Sequence, residues 1–384
     1  MELVASLIHK FGYALYYFLS FSLYYFLSFS LIISVVIFVH EFGHYIVAKL
    51  CKVKVESFSI GFGPEIFGFN DKSGTRWRLS IIPLGGYVKM LGDMNAASIP
   101  IDQQDLTDKE KLYAFSAKPR YKKAAIVFAG PFANILFSII VFTVVSAVWG
   151  YYHIPPVVQN IVIDSPAEKA GLLPGDTITK VNGYKVKSFE DIRRIMVLHI
   201  NRENVEIEYM RGNKKYKTII AYLKVKNKDI AGNVVEVPTI GIVLMNPELK
   251  NPSFLESIDR AIKETYYTIY LSFRAIIQMI TMERSIGEIS GPIKIAQYSV
   301  QSVKKGVLVI LNFMALISAN LAIMNLLPIP LLDGGHLFQY IIEAIIRRDI
   351  SLRYQKYAAI LGASIILLLT VVTVWNDMKH FIST

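Results

Sequence analysis

The chain has 384 residues, 53% of them hydrophobic and 12% aromatic, with a mean hydropathy of +0.41. A soluble domain rarely carries so much apolar weight, so the composition implies a membrane protein with room for roughly two or three domains. A formal net charge of +11 invites a nucleic-acid reading, but the basic residues are dispersed and many flank apolar segments, where they act as topology signals. One cysteine, Cys51, excludes an internal disulfide and a cysteine-based zinc cage.

The first apolar segment runs from about Phe11 to Val39 and continues toward Leu50. It is too long for a secretory signal and lacks a small-residue cleavage site, which implies an uncleaved helix. Within it Tyr16–Leu23 repeats unchanged as Tyr24–Leu31. Eight extra residues turn a helix slightly more than twice and lengthen it by about 12 Å, so its face is nearly kept. The segment ends in His40-Glu41-Phe42-Gly43-His44. On a helix this spacing puts both imidazoles on one face, where they reach a single zinc ion, and places Glu41 to take a proton from the water the metal activates. Such groups are costly in hydrocarbon unless they face protein or water and have a partner, and a metal is one.

From Val53 to Leu91, Ser57–Ile60 and Arg76–Ile81 alternate, with the turn composition Asp71-Lys72-Ser73-Gly74 between them. Paired strands beside the zinc motif would offer an edge on which an extended chain segment could pair. The second span is Ala124–Trp149. From Val158 to Tyr222 short strands, the capped helix Ser165–Leu172, a Val181-Asn182-Gly183 turn and an amphipathic helix over Phe189–Leu198 build a small α+β domain. Ile258–Met282 carries Arg260, Lys263, Glu264 and Arg274, a charge load that suits an interfacial amphipathic helix better than a span. His153 and His199 show no metal spacing and read as structural. The third and fourth spans are about Val307–Leu327 and Tyr357–Trp375. Lys118, Arg120, Lys122 and Lys123 precede the second span, and Arg347, Arg348, Arg353 and Lys356 separate the last two. Both loops are therefore expected to be cytoplasmic, with both termini and residues 150–306 outside, against the minor dissent of Lys304 and Lys305.

Zinc needs a third protein ligand and an open position for water. The best candidate is Asp333, in Asn325-Leu326-Leu327-Pro328-Ile329-Pro330-Leu331-Leu332-Asp333-Gly334-Gly335. It ends an apolar span as the first motif does, at a matching depth, and the two prolines break the helix there. His336, next-but-two after Asp333, is expected in a loop or behind the ligands.

These two motifs together resemble the site-2 protease family of intramembrane zinc metalloproteases, and most closely its RseP-like branch of sigma-E regulators. The likeness extends to Gly61-Phe62-Gly63-Pro64 and Ile82–Met90, to Gly130-Pro131-Phe132-Ala133-Asn134 and to Ser290-Gly291-Pro292-Ile293. It implies one zinc ion on His40, His44 and Asp333, Glu41 as base, and substrate-handling roles for Asn325 and Asn320. The fold it implies is a multi-pass α-helical membrane protein of about four transmembrane helices with a membrane-reentrant β-hairpin and one α+β PDZ domain. That domain follows from SPAEKAGLLPGD and KVNG, which resemble a bacterial PDZ module; members of the branch often carry two. The expected layout is a first membrane half over 1–150 with the hairpin at about 53–91, a PDZ domain over 156–225, a linker strand and interfacial helix over 226–306, and a second membrane half over 307–384. The resemblance further implies the bacterial inner membrane, with the PDZ domain and termini periplasmic and the active site toward the cytoplasm. Substrates would be single-span membrane proteins already shortened by another protease, such as anti-sigma factors or signal-peptide remnants, and no nucleic acid would be bound. A metal transporter would show paired repeats and polar groups in several spans, and a silent scaffold would not require Glu41.

Overall fold

The computed structural model describes residues 2–92, 107–199, 203–228 and 234–383. They fall into two compact units, Met1–Val141 with Ile289–Ile382, and Phe142–Glu288. In the first unit, helix α1 (Glu2–Leu50) runs unbroken through both copies of the eight-residue repeat. It stops at Lys52, whose φ of +58° takes the chain out of helical geometry.

Strands β1 (Val55–Asn70) and β2 (Arg76–Met90) follow. They form more than the simple hairpin the alternation suggests. Residues Ser57–Ile60 pair with Arg76–Leu79 on one side and with Gly86–Lys89 on the other, while Glu65–Asn70 pairs with Arg76–Ser80. Each strand folds on itself at glycines: Gly61 and Gly63 have φ of +86° and +87°, and Gly85 of +122°, conformations that side chains resist. The turn is tied to α1 through Asp71, whose carboxylate accepts from Tyr45 Oη at 3.0 Å, Trp77 Nε1 at 3.1 Å and the Ser73 and Thr75 amides. A short helix α2 (Asp108–Lys111) precedes α3 (Arg120–Trp149). Small groups hold α3 close to its neighbours. Ser138 Oγ donates to Ala315 O at 2.8 Å, and both Ser138 and Ser318 hydroxyls donate to the main-chain oxygen of Asn134. Such interhelical bonds average about 0.6 kcal/mol in membranes, so they fix register more than they add stability.

The second unit opens with β3 (Tyr151–His153), β4 (Val158–Ile161), helix α4 (Pro166–Lys169), β5 (Thr177–Val181), β6 (Tyr184–Lys185), α5 (Phe189–Leu198), β7 (Asn204–Arg211) and β8 (Lys214–Ala221). The sheet order is β6-β5-β7-β8, and its core packs Leu172, Ile178, Ile192, Val205 and Ile207. Fully buried Asp176 accepts from Arg211 Nε and Nη2, each at 2.8 Å, and from the Leu173 amide. Burial alone would raise this carboxyl, but those bonds hold it below its ordinary range. The segment expected to be a linker carries β9 (Leu223–Lys228), β10 (Val234–Thr239), β11 (Ile242–Leu244) and β12 (Glu248–Lys250). Strands β9 and β10 pair with each other, whereas β11 returns to β4 and β12 to β3. Residues to Lys250 therefore close the domain on its own first strands. Helix α6 (Phe254–Ile280) covers the amphipathic stretch. Its charges have local uses: Glu264 pairs with Arg194, the Arg260 guanidinium lies 3.7 Å from the centre of the Tyr151 ring, and Gln278 donates to Leu198 O.

The first unit resumes with α7 (Pro292–Lys305), α8 (Val307–Asn325), α9 (Asp333–Ile346) and α10 (Leu352–Ser383). Buried Asp377 on α10 caps α7 from a distance by accepting from the Gly291, Ile293 and Lys294 amides at 3.0–3.1 Å. Among the described residues four helices are long and apolar enough to cross a membrane: Leu23–Leu50, Arg120–Trp149, Val307–Asn325 and Leu352–Lys379. These agree with the four spans expected from the sequence.

Candidate active site

Three helix ends build the site. The last third of α1 supplies His40, Glu41 and His44, which the i, i+4 geometry sets on one face. The C-terminal turn of α8 supplies Asn325, and the first turn of α9 supplies Asp333, whose charge suits a helix N-terminus. Pro328 and Pro330 stop the chain from continuing as one helix, so α8 ends and α9 restarts beside α1. Gly334 makes the restart tight enough, because a Cβ there would strike the carbonyl oxygens of Leu326 and Leu327.

His40 Nε2 lies 3.3 Å from His44 Nε2 and 3.2 Å from Asp333 Oδ2, and His44 Nε2 lies 3.5 Å from Asp333 Oδ1. One donor atom from each of the three residues therefore falls within 4.8 Å of the others. Asp333 Oδ2 is buried and accepts no hydrogen bond of proper geometry. Two imidazole nitrogens and a carboxylate oxygen converging on one point, with an orphaned oxygen among them, fit a tetrahedral zinc site that leaves a position open. Glu41 faces the same space, beside the Val88 amide.

A cavity of about 550 Å³ surrounds these groups, lined by α1, the end of β2 from Gly85 to Met90, Asn325, Asp333 and His336. Asn325 Nδ2 lies 3.2 Å from His40 Nε2, so this amide reaches the centre of the site. Asn320, five residues earlier on α8, is not among the cavity-lining residues. His336 belongs to the first turn of α9 and not to a loop, which puts its ring on the cavity wall.

Two residues of α3 carry more of the site than their sequence suggests. Gly130 is a space: a Cβ there would fall against Nε2 and Cε1 of His44 and 2.9 Å from Cε1 of His40. Asn134 is fully buried, with Nδ2 at 3.2 Å from His40 Nδ1. His44 Nδ1 in turn donates to Ile126 O at 2.8 Å. The run Gly130-Pro131-Phe132-Ala133-Asn134 is visible in the sequence, but only the i, i+4 spacing of the glycine and asparagine hints that both face α1.

The family model described as Peptidase family M50 matches residues 28–369. The chain belongs to that family. A protein of Mesorhizobium japonicum named as a zinc metalloprotease is 39% identical over 90% of this chain and 96% of its own. Metalloprotease MmpA of Caulobacter vibrioides is 33% identical over 91% and 94%. A solved PDZ domain of an SdrC-like protein from Listeria monocytogenes is 28% identical, covering 24% of this chain and 88% of that one, with a TM-score of 0.19. This M50 peptidase is thus a zinc metalloprotease of the membrane, in the site-2 protease family.

Proposed function

We propose that this M50 peptidase cuts single-span membrane proteins within or near their transmembrane segments, after another protease has shortened them. The observation that carries this reading is depth. His40 lies ten residues before the end of α1 and Gly130 ten residues after the start of α3, which is about 15 Å of helix in each case. That is about half of a hydrocarbon core of about 30 Å. A soluble loop has no reason to reach this point, whereas a membrane-borne segment is already there.

In this reading His40, His44 and Asp333 hold one zinc ion. Bound there, the metal would polarise the scissile carbonyl and lower the pKa of a water toward about 7. Glu41 takes the water's proton and returns it to the leaving amine. The Asn325 amide binds the carbonyl oxygen of the substrate as charge develops on it. Substrate must be extended to be cut, and the outer edge of β2 along the cavity offers backbone pairing to an unwound segment. The domain expected over 156–225 acts as a PDZ module on the outer side of the bacterial inner membrane, where it selects chain ends or excludes bulky outer domains; the zinc cavity opens toward the cytoplasm.

The test is cleavage of a tagged single-span substrate in membranes by wild type and Glu41→Gln at equal zinc content. Product from wild type alone, with zinc retained in the variant, is the expected result. Equal product from both would remove Glu41 as the base.

A further inference from the structure

His40 and His44 must both offer Nε2 to one metal, which requires the proton of each ring to sit on Nδ1. For His44 this is arranged, because Nδ1 faces the Ile126 carbonyl at 2.8 Å, an atom that only accepts. For His40 the partner of Nδ1 is the Asn134 side chain, and its Nδ2 is the atom in contact, at 3.2 Å. An amide N–H can donate only to a ring nitrogen without a proton. Both ring nitrogens of His40 thus face amide nitrogens, Nδ1 that of Asn134 and Nε2 that of Asn325 at 3.2 Å, although a neutral ring must carry a proton on one of them. The other amide atom, Asn134 Oδ1, is buried with no partner.

Exchanging the two amide atoms changes neither volume nor shape. It brings the orphaned oxygen to His40 Nδ1, which can then carry the proton and leave Nε2 as a lone pair toward the metal. The main-chain oxygen of Asn134 is held by Ser138 and Ser318 in either case, so the side chain turns on a fixed base. From this we infer that Asn134 is a positioning residue: its side-chain oxygen accepts from His40 Nδ1–H and so sets the tautomer whose Nε2 ligates zinc. The inference rests on the zinc-site reading given above.

The experiment titrates the full chain, purified in detergent, with zinc against a chromophoric chelator. Asn134→Asp can only accept and should bind zinc within about threefold of wild type or tighter, as carboxylate–histidine–metal arrangements do. Asn134→Leu, which keeps the volume and loses the acceptor, should bind about 10- to 100-fold more weakly, with unfolding of the metal-free helices unchanged. Should the leucine variant not fold, Asn134→Ala removes the same atoms and takes its place. Wild-type affinity in the leucine or alanine variant overturns the inference, as does an aspartate variant that binds as weakly as they do. His44→Ala separates the two levels: if it binds zinc like wild type, the site reading itself fails; if it loses zinc while Asn134→Leu does not, only the tautomer inference falls.

Discussion

Gly130 sets two physical rules against each other. In a helix interior alanine is more favourable than glycine by about 1 kcal/mol, so a purely structural position would gain from Gly130→Ala. The methyl would, however, occupy space that the His40 and His44 rings use. Gly130→Ala should therefore weaken zinc binding at least about tenfold, the scale on which ligand orientation matters, while overpacking of about 1–3 kcal/mol offsets the helix-propensity gain and lowers the melting temperature of the metal-free protein modestly. An equilibrium zinc titration beside a thermal melt checks this; unchanged affinity would mean the rings do not need that space. The same contrast explains which site residues are legible in the sequence. His40, Glu41 and His44 declare themselves because a fixed spacing implies a shared face, and Asp333 because a carboxylate at the end of an apolar run needs a reason. The reach of Asn325 into the centre follows from the helix break at Pro328. The i, i+4 spacing of Gly130 and Asn134 says that they share a face of α3, but nothing local says that the missing Cβ and the amide meet the His40 ring, 94 positions from Asn134. Nothing local distinguishes Asn320, outside the cavity lining, from Asn325, inside it.

At the scale of elements, the site depends on how closely the end of β2 lies against α1. Gly86 sits at that contact: a Cβ there would be 2.7 Å from Ser59 O, 2.8 Å from Ile37 Cγ2 and 3.2 Å from Glu41 Cγ. None of these atoms belongs to an imidazole. Gly86→Ala should push the strand edge off α1 and cut proteolysis at least about tenfold, as misplacements near 1 Å do, with zinc content unchanged. Wild-type cleavage by this variant would take the β2 edge out of the substrate's path. Elements were legible in proportion to their autonomy. The four long apolar helices follow from length and hydropathy, and α5 from its caps and period. The two-sided pairing of β1 was not legible, because it depends on where Gly61, Gly63 and Gly85 let the strands fold back. Helix α7 carries no local side-chain cap to announce it, because its N-terminal amides are held by Asp377, far along the chain. Strands β11 and β12 close on β4 and β3, partners that no local pattern names.

For the molecule as a whole, orientation is the property on which substrate access turns. Large apolar side chains stand exposed along α1, α3 and α10, among them Leu27, Leu31, Ile140, Val144, Leu367, Leu368 and Val371, far more apolar surface than a soluble monomer shows. In a bilayer that surface is covered by lipid, and the basic residues at the helix ends then decide which side faces the cytoplasm. Lys118, Arg120, Lys122 and Lys123 gather at the start of α3, and Arg120 pairs with Asp349 at 2.6 Å in the segment that also holds Arg347 and Arg348. The two basic clusters thus lie on one side by direct contact, which strengthens the topology argument beyond a count of charges. In the proposed orientation exposed Ala117, just before α3, reports the cytoplasmic side and exposed Lys185, in the domain that follows α3, the outer side. In a Cys51→Ser background, a membrane-impermeant maleimide should label Lys185→Cys in right-side-out vesicles and Ala117→Cys only in inverted ones. The opposite pattern would reverse the orientation and open the zinc cavity to the outer side. Labelling of both from one side would mean that α3 does not cross, and the depth argument for cleavage within the membrane would lose its footing.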